Sequence, residues 1–273
     1  MSTTSEPIGV FDSGVGGLSV LKHLVRILPN ERYIYLGDTA RVPYGNKSEE
    51  TICEYTEQAV KFLVQHNAKL IIIACNTASA IALKVAESIS NVPVIGMIIP
   101  AAKAAVATTQ NGKIGVIGTR ATIGSKAYPK TIAANKRDND IEVIGQACPL
   151  FVPLAEEGFH LHPSAELIIN EYLSPLSDAK IDTLVLGCTH YPLLAPLIQK
   201  RLPTVKLIDC GEYAAKEAIS MLENMQLLSP AHTSESLPEI SFYLTDNTPL
   251  FPEIAERFLG FHISKPERIS LEH

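Results

Sequence analysis

Short runs of aliphatic residues alternate along this chain with longer stretches in which apolar positions recur every three or four residues. Strands of a parallel sheet read as near-continuous Val/Ile/Leu runs because helices cover both faces, whereas surface helices carry the 3.6-residue period. The pattern predicts strands over 8–11, 33–36, 69–74 and 94–96, with helices over 16–28, 48–65, 77–88 and 100–108. It then starts again, with strands over 113–117, 141–144, 183–186 and 205–208 and helices around 164–173, 192–200 and 212–225. A strand over 240–244 and a helix over 249–259 close the pattern, and the polar, proline-bearing stretch 228–238 reads as a loop. Pro29-Asn30 stops the first helix, and Ser48 suits an N-cap although Thr51, three residues on, lacks the acid of a full capping box. Pro100 fits the first turn of its helix, where a missing N–H costs nothing. Strands alternating with helices imply α/β architecture with parallel sheets and right-handed crossovers.

The restart carries text as well as pattern. Ile114-Gly115-Val116-Ile117-Gly118-Thr119 echoes Ile8-Gly9-Val10-Phe11-Asp12-Ser13, 106 positions earlier. Leu184-Val185-Leu186-Gly187-Cys188-Thr189 echoes Ile71-Ile72-Ile73-Ala74-Cys75-Asn76, 113 positions earlier. Any two parallel α/β units share some strand–turn text, but two offsets this similar favour two duplicated lobes.

Composition narrows the class. With 46% hydrophobic and 19% charged residues over 273 positions, the chain has core enough for two domains. A net charge of −6 without any Lys/Arg-rich block argues against a nucleic-acid surface. No apolar run approaches membrane-spanning length, and the polar start, residues 1–7, lacks the apolar core of a signal peptide. Five scattered cysteines with no CxxC pair form neither a disulfide framework nor a zinc pattern, so a reducing cytoplasm is the expected compartment. Residues 271–273 resemble a tag remnant.

Cys75 and Cys188 each end an apolar strand, at the carboxyl edge where open α/β sheets place ligands, and the pattern places each at a helix start. A helix N-terminus or a neighbouring donor stabilises a thiolate and makes it a useful base or nucleophile. One isolated cysteine is more often a small buried hydrophobe. A matched pair is different: removing a proton from one face of a carbon and returning one to the other needs two bases in opposite protonation states. Cys53, Cys148 and Cys210 lack such a partner and read as structural. The turn Asp12-Ser13-Gly14-Val15-Gly16-Gly17 can cradle an anion at a helix start, but Ser19 breaks a GxGxxG match and no P-loop lysine follows. Asp12 there is either a helper to a base or an N-cap. In the following loop, Tyr44-Gly45 can offer an amide and a hydroxyl, and Arg41 can bind a carboxylate or simply be solvated.

At these residues the chain resembles the glutamate racemases of the cofactor-independent aspartate/glutamate racemase superfamily. The resemblance runs through Gly9-Val10-Phe11-Asp12-Ser13-Gly14-Val15-Gly16-Gly17, Pro43-Tyr44-Gly45, Ala74-Cys75-Asn76-Thr77-Ala78-Ser79, Cys148-Pro149-Leu150-Phe151-Val152-Pro153-Leu154 and Gly187-Cys188-Thr189-His190-Tyr191-Pro192-Leu193. It implies an α/β fold of two pseudo-symmetric three-layer lobes, 1–97 with 209–270 and 98–208, with the active site between them. It also implies interconversion of L- and D-glutamate without pyridoxal phosphate, other cofactor or metal, by a homodimer with a small-molecule substrate and no nucleic-acid or membrane partner. In bacteria the D-glutamate feeds peptidoglycan synthesis. By motif position Cys75 deprotonates D-glutamate and Cys188 L-glutamate, assisted by Asp12 and His190 respectively. A further acid falls at Glu156, or at Glu157 beside it. Asp12, Ser13, Tyr44, Gly45, Asn76, Thr77, Thr119, Thr122, Thr189 and His190 bind substrate. The alternatives are a related racemase acting on aspartate or a hydantoin, a two-lobed binding protein, which would need a signal peptide and no paired thiols, and an interaction role, which no acidic run supports.

Overall fold

The computed structural model describes residues 2–135, 140–231 and 237–271. The chain begins β1 (Ile8–Asp12), α1 (Leu18–Ile27), β2 (Tyr33–Gly37), α2 (Glu49–Gln65), β3 (Leu70–Ile73), α3 (Asn76–Ile81), α4 (Leu83–Ile89) and β4 (Val94–Gly96). After α5 (Ile98–Thr108) come β5 (Lys113–Gly118), α6 (Arg120–Gly124), α7 (Ala127–Asn135), β6 (Glu142–Ala147), α8 (Phe151–Glu156), α9 (Ser164–Asp178), β7 (Thr183–Gly187), α10 (Ala195–Arg201) and β8 (Lys206–Asp209). It ends with α11 (Cys210–Asn224), β9 (Ile240–Leu244), α12 (Phe251–Leu259) and β10 (Glu267–Arg268).

The strands form two sheets, in the orders β10-β9-β2-β1-β3-β4 and β6-β5-β7-β8, every pair parallel. The second sheet repeats the β2-β1-β3-β4 part of the first, so β1 corresponds to β5 and β3 to β7. Those are the pairs whose text the sequence repeats. In each sheet the direction of strand progression reverses beside the central strand, which opens a crevice at the carboxyl ends of β1 and β3 and of β5 and β7.

Burial explains the strand pattern. In β3, Leu70 and Ile72 enter the core shared with α1, α5 and α11, while Ile71 and Ile73 pack against α2, α3 and α4. Both faces are covered, so both parities are apolar. The first of these cores runs on into the second lobe through Val116 and Val185, with α5 and α11 packed between the sheets. The lobes are thus joined at their backs and part only at the strand ends.

Several boundaries differ from the sequence pattern. The helix expected over 77–88 breaks at Ala82, an angular turn that seats Leu83 close to Gly96. The helix expected from 164 runs to Asp178 with Pro175 inside it, and the one expected from 192 opens as a 3-10 turn, Tyr191–Leu194, before α10. Part of the loop expected over 228–238, residues 232–236, lies outside the described residues. So do Glu272 and His273 of the expected tag remnant, whereas Leu271 packs into the core beneath α2. Among the described residues no helix is long and apolar enough to cross a membrane.

A fully buried charged pair lies in this interior. The Lys69 ammonium is fully buried 2.6 Å from Glu31, and also donates to the carbonyls of Thr4 and Leu227. Ser229 completes Glu31 through its amide and hydroxyl, each at 2.8 Å. Removing one member strands a buried charge, so Lys69→Met is expected to cost about 3–5 kcal/mol of unfolding free energy. Lys69→Met/Glu31→Leu is expected to lose less than Lys69→Met alone, and urea unfolding of the two variants checks this.

Candidate active site

The carboxyl ends of the two sheets face one another across a cavity of about 370 Å³, within the range of small-ligand pockets. Eleven of the residues expected at the site line it: Ser13, Tyr44, Gly45, Cys75, Asn76 and Thr77 from one lobe, and Thr119, Glu156, Cys188, Thr189 and His190 from the other. The remaining two, Asp12 and Thr122, are buried immediately behind this wall. A larger void of about 580 Å³, bordered by Lys103, Asn111 and Asp140, contains neither a thiol nor a histidine.

Each lobe positions its cysteine differently. Cys75 is the N-cap of α3, and its Sγ accepts from the Ala78 amide at 3.5 Å. Cys188 does not start an α-helix, contrary to the expectation for both thiols, since only a 3-10 turn follows from Tyr191. Its partner is instead His190, whose Nδ1 lies 3.7 Å from Cys188 Sγ while Nε2 lies 2.8 Å from Glu156. Between the lobes, the hydroxyls of Thr77, Thr119 and Thr122 form a triangle with edges of 2.9, 3.0 and 3.1 Å. The Asn76 Nδ2 donor is buried at the cavity without a partner. Hydroxyl and amide donors gathered at one end of a cleft suit a carboxylate.

Residues 8–218 match the Asp/Glu/Hydantoin racemase family. The chain belongs to that family. It is 48% identical to the glutamate racemase of Geobacter metallireducens over 267 residues, 97% of each chain. A crystal structure of the Francisella tularensis glutamate racemase in complex with D-glutamate superposes with a TM-score of 0.91 at 43% identity, covering 98% of this chain and 99% of that one. The Escherichia coli glutamate racemase, crystallised with L-glutamate and an activator, gives 0.76 at 32% identity, covering 93% and 94%.

Within this racemase-family cleft the glycine turn after β1 is closely packed, with Ser13 and Gly14 at the cavity wall. The Gly14 amide donates to Asp12 Oδ2 at 3.0 Å. A Cβ on Gly16 would stand 2.3 Å from Thr189 Oγ1 and 2.5 Å from the His190 ring, and one on Gly17 would stand 2.4 Å from Asp12 Cβ. Arg41, which the sequence offered as a carboxylate ligand, instead grips Asp38 at 2.7 Å and stacks 3.9 Å over Tyr55. The Tyr44 hydroxyl is also taken, donating to Asp38, so toward the cavity Tyr44 offers its backbone and ring. The peptide bond before Pro43 is cis.

Burial and neighbouring charges act on Cys75, Asp12 and His190. Burial, then the Asp12 charge, pushes Cys75 up to about 12, against donors from Ser13 and Ala78. Burial raises the Asp12 carboxyl as well, opposed by the His190 charge and by the Gly17 and Gly14 amides. Burial alone would lower His190, but its bonds to Cys188 and Glu156 outweigh this and lift it to about 10. A cationic imidazole donates from both nitrogens, one toward a carboxylate and one toward sulfur. Cys148 and Cys210, read as structural from sequence, are both raised by burial.

Three contributors had no motif to announce them. Arg120 lines the cavity beside Thr119. From α12, Phe258 stands edge-on to the His190 ring with centroids 5.6 Å apart, and Arg257 donates to the carbonyls of Ala155 and Glu156. A hint for α12 existed in its strong apolar stripe, which needs a partner.

Gly16→Ala must displace Thr189 or His190 by an ångström-scale step, and turnover is expected to fall about 10²-fold with the circular dichroism spectrum unchanged. Glu156→Gln removes a group that raises His190, so its imidazole is expected to titrate below about 10, read by NMR. The sign for stability follows: a raised histidine stabilises fully below its unfolded value, about 6.5, and this is lost as pH climbs through about 10. In Glu156→Gln that loss is expected at lower pH.

Proposed function

We propose that the chain interconverts L- and D-glutamate by a two-base mechanism in which Cys75 and Cys188 act from opposite faces of Cα. The observation that carries this reading is the pair itself: two thiols at the ends of corresponding strands, on opposing lobes, lining one cavity. The relatives named above, one of them holding D-glutamate, support the substrate.

In the L-to-D direction the Cys188 thiolate takes the α-proton, and the Cys75 thiol gives its proton to the opposite face. Cys188 ends as thiol and Cys75 as thiolate. The D-to-L direction reverses every transfer. Burial and the Asp12 charge raise the Cys75 thiol, which suits the proton-donating part given to it in the L-to-D direction, and His190 Nδ1 lies 3.7 Å from Cys188 Sγ. An α-proton next to a carboxylate is weakly acidic, so the developing charge needs preorganised donors. The threonine hydroxyls and the Asn76 amide supply them. Asp12 and His190 hold and steer the thiol protons.

In this reading the enzyme works in the cytoplasm without cofactor, supplying D-glutamate to peptidoglycan synthesis, and as a homodimer. Circular dichroism assays with both enantiomers of glutamate and of aspartate separate this substrate from its nearest alternative.

Turnover in heavy water is expected to place solvent deuterium at Cα mainly in the product enantiomer, whichever enantiomer is supplied. Cys75→Ser and Cys188→Ser are each expected to abolish racemisation while the protein stays folded; full activity in either would sink the two-base assignment.

A further inference from the structure

Asn76, directly after Cys75, is 3% exposed, and the two ends of its side-chain amide are treated differently. Nδ2 reaches no protein acceptor, while Oδ1 accepts from the Tyr128 hydroxyl at 2.7 Å. Tyr128 belongs to α7 in the other lobe and is fully buried. Its oxygen also lies 3.1 Å from Cys210 Sγ, at the start of α11. Cys210 can give its own proton to the Leu186 carbonyl at 3.2 Å, which leaves the phenol proton for Asn76. Burial, then Cys210, keeps that proton on Tyr128 far above neutral pH.

The same ring touches the second cysteine's turn. A Cβ on Gly187, the residue before Cys188, would stand 3.2 Å from Tyr128 Cε2. One aromatic side chain therefore bears on the residue after Cys75 and the residue before Cys188. A primary amide has an acceptor end and a donor end, so fixing the acceptor end chooses where the donor points.

We propose that Tyr128 is a positioning residue: by holding Asn76 Oδ1 across the lobe boundary, it keeps Asn76 Nδ2 free at the cavity, where that donor takes a carboxylate oxygen of the amino-acid substrate. This rests on the substrate reading given above. Without the phenol, Asn76 is free to turn its amide over and offer an oxygen to the carboxylate. Tyr128→Phe keeps the ring that packs on Gly187 and removes only the bond.

The test is a double-mutant cycle on the full-length enzyme with Tyr128→Phe, Asn76→Ala and the double variant, using glutamate racemisation and thermal unfolding. Tyr128→Phe is expected to lower kcat/KM about fivefold to tenfold, the worth of one hydrogen bond, chiefly through KM, because the contact is already made in the ground state. Asn76→Ala is expected to lose at least as much, and the double variant no more than Asn76→Ala alone, since the phenol acts through Asn76. Losses that multiply in the double variant, or a fall in kcat alone, would overturn the proposal. Wild-type kinetics in Asn76→Ala would overturn it together with the carboxylate contact. Failure of the two-base reading is read separately, from retained activity in the cysteine variants.

Discussion

The cleft depends on how closely two turns from different lobes approach. The turn after β1 meets the turn after β7 with no side chain between them at Gly16, and the Ser19 hydroxyl pins the Thr189 carbonyl at 2.7 Å. That contact brings Asp12, rooted in one sheet, within the field of His190, rooted in the other. Gly45 does the same on the far side, where an added Cβ would stand 2.8 Å from Thr119 Cβ. Close packing has low tolerance for an extra methyl, so these glycines fix the spacing of the lobes. The hydrophobic core behind them, continuous through α5 and α11, makes that spacing rigid from the back.

The two cysteines descend from equivalent places in a repeated unit, yet their surroundings have diverged. One has a helix N-terminus and a neighbouring carboxyl; the other has a buried imidazole backed by Glu156 and walled by Phe258. Equivalent strand positions have thus been given different local electrostatics. Glu156 is itself held from the discontinuous part of the fold, through Arg257 on α12.

The strands were legible because a buried parallel strand must be apolar on both faces, as in Leu70-Ile71-Ile72-Ile73. The duplication was legible through the repeated text, and the topology agrees with it. Helix detail was less so. Nothing local marks the break at Ala82, which answers to Leu83 packing on Gly96, a tertiary cause. The 3-10 start at Tyr191 likewise left Cys188 without the helix that the pattern gave it. The two-residue β10 is too short to carry a period. At the site, motif text located eleven lining residues. It could not say that Arg41 and the Tyr44 hydroxyl are consumed by Asp38, because hydrogen-bond partners from distant segments leave no spacing signal. Tyr128, Arg257 and Phe258 were invisible for the same reason.

The interleaving of the two sheets has a consequence for how the protein is made. Strands β5 to β8 lie in one uninterrupted stretch, so their sheet is complete as soon as that stretch has left the ribosome. The other sheet has to wait. Strand β2 keeps an open edge until β9 arrives, Tyr33 pairing with Ile240 more than two hundred residues later. Lys69, facing the interior from the foot of β3, has Glu31 and the Thr4 carbonyl at hand but meets Leu227 and Ser229 only 158 and 160 residues later. The half of the protein that is synthesised first is therefore the last to close, and its open β2 edge is what a nascent-chain chaperone would find.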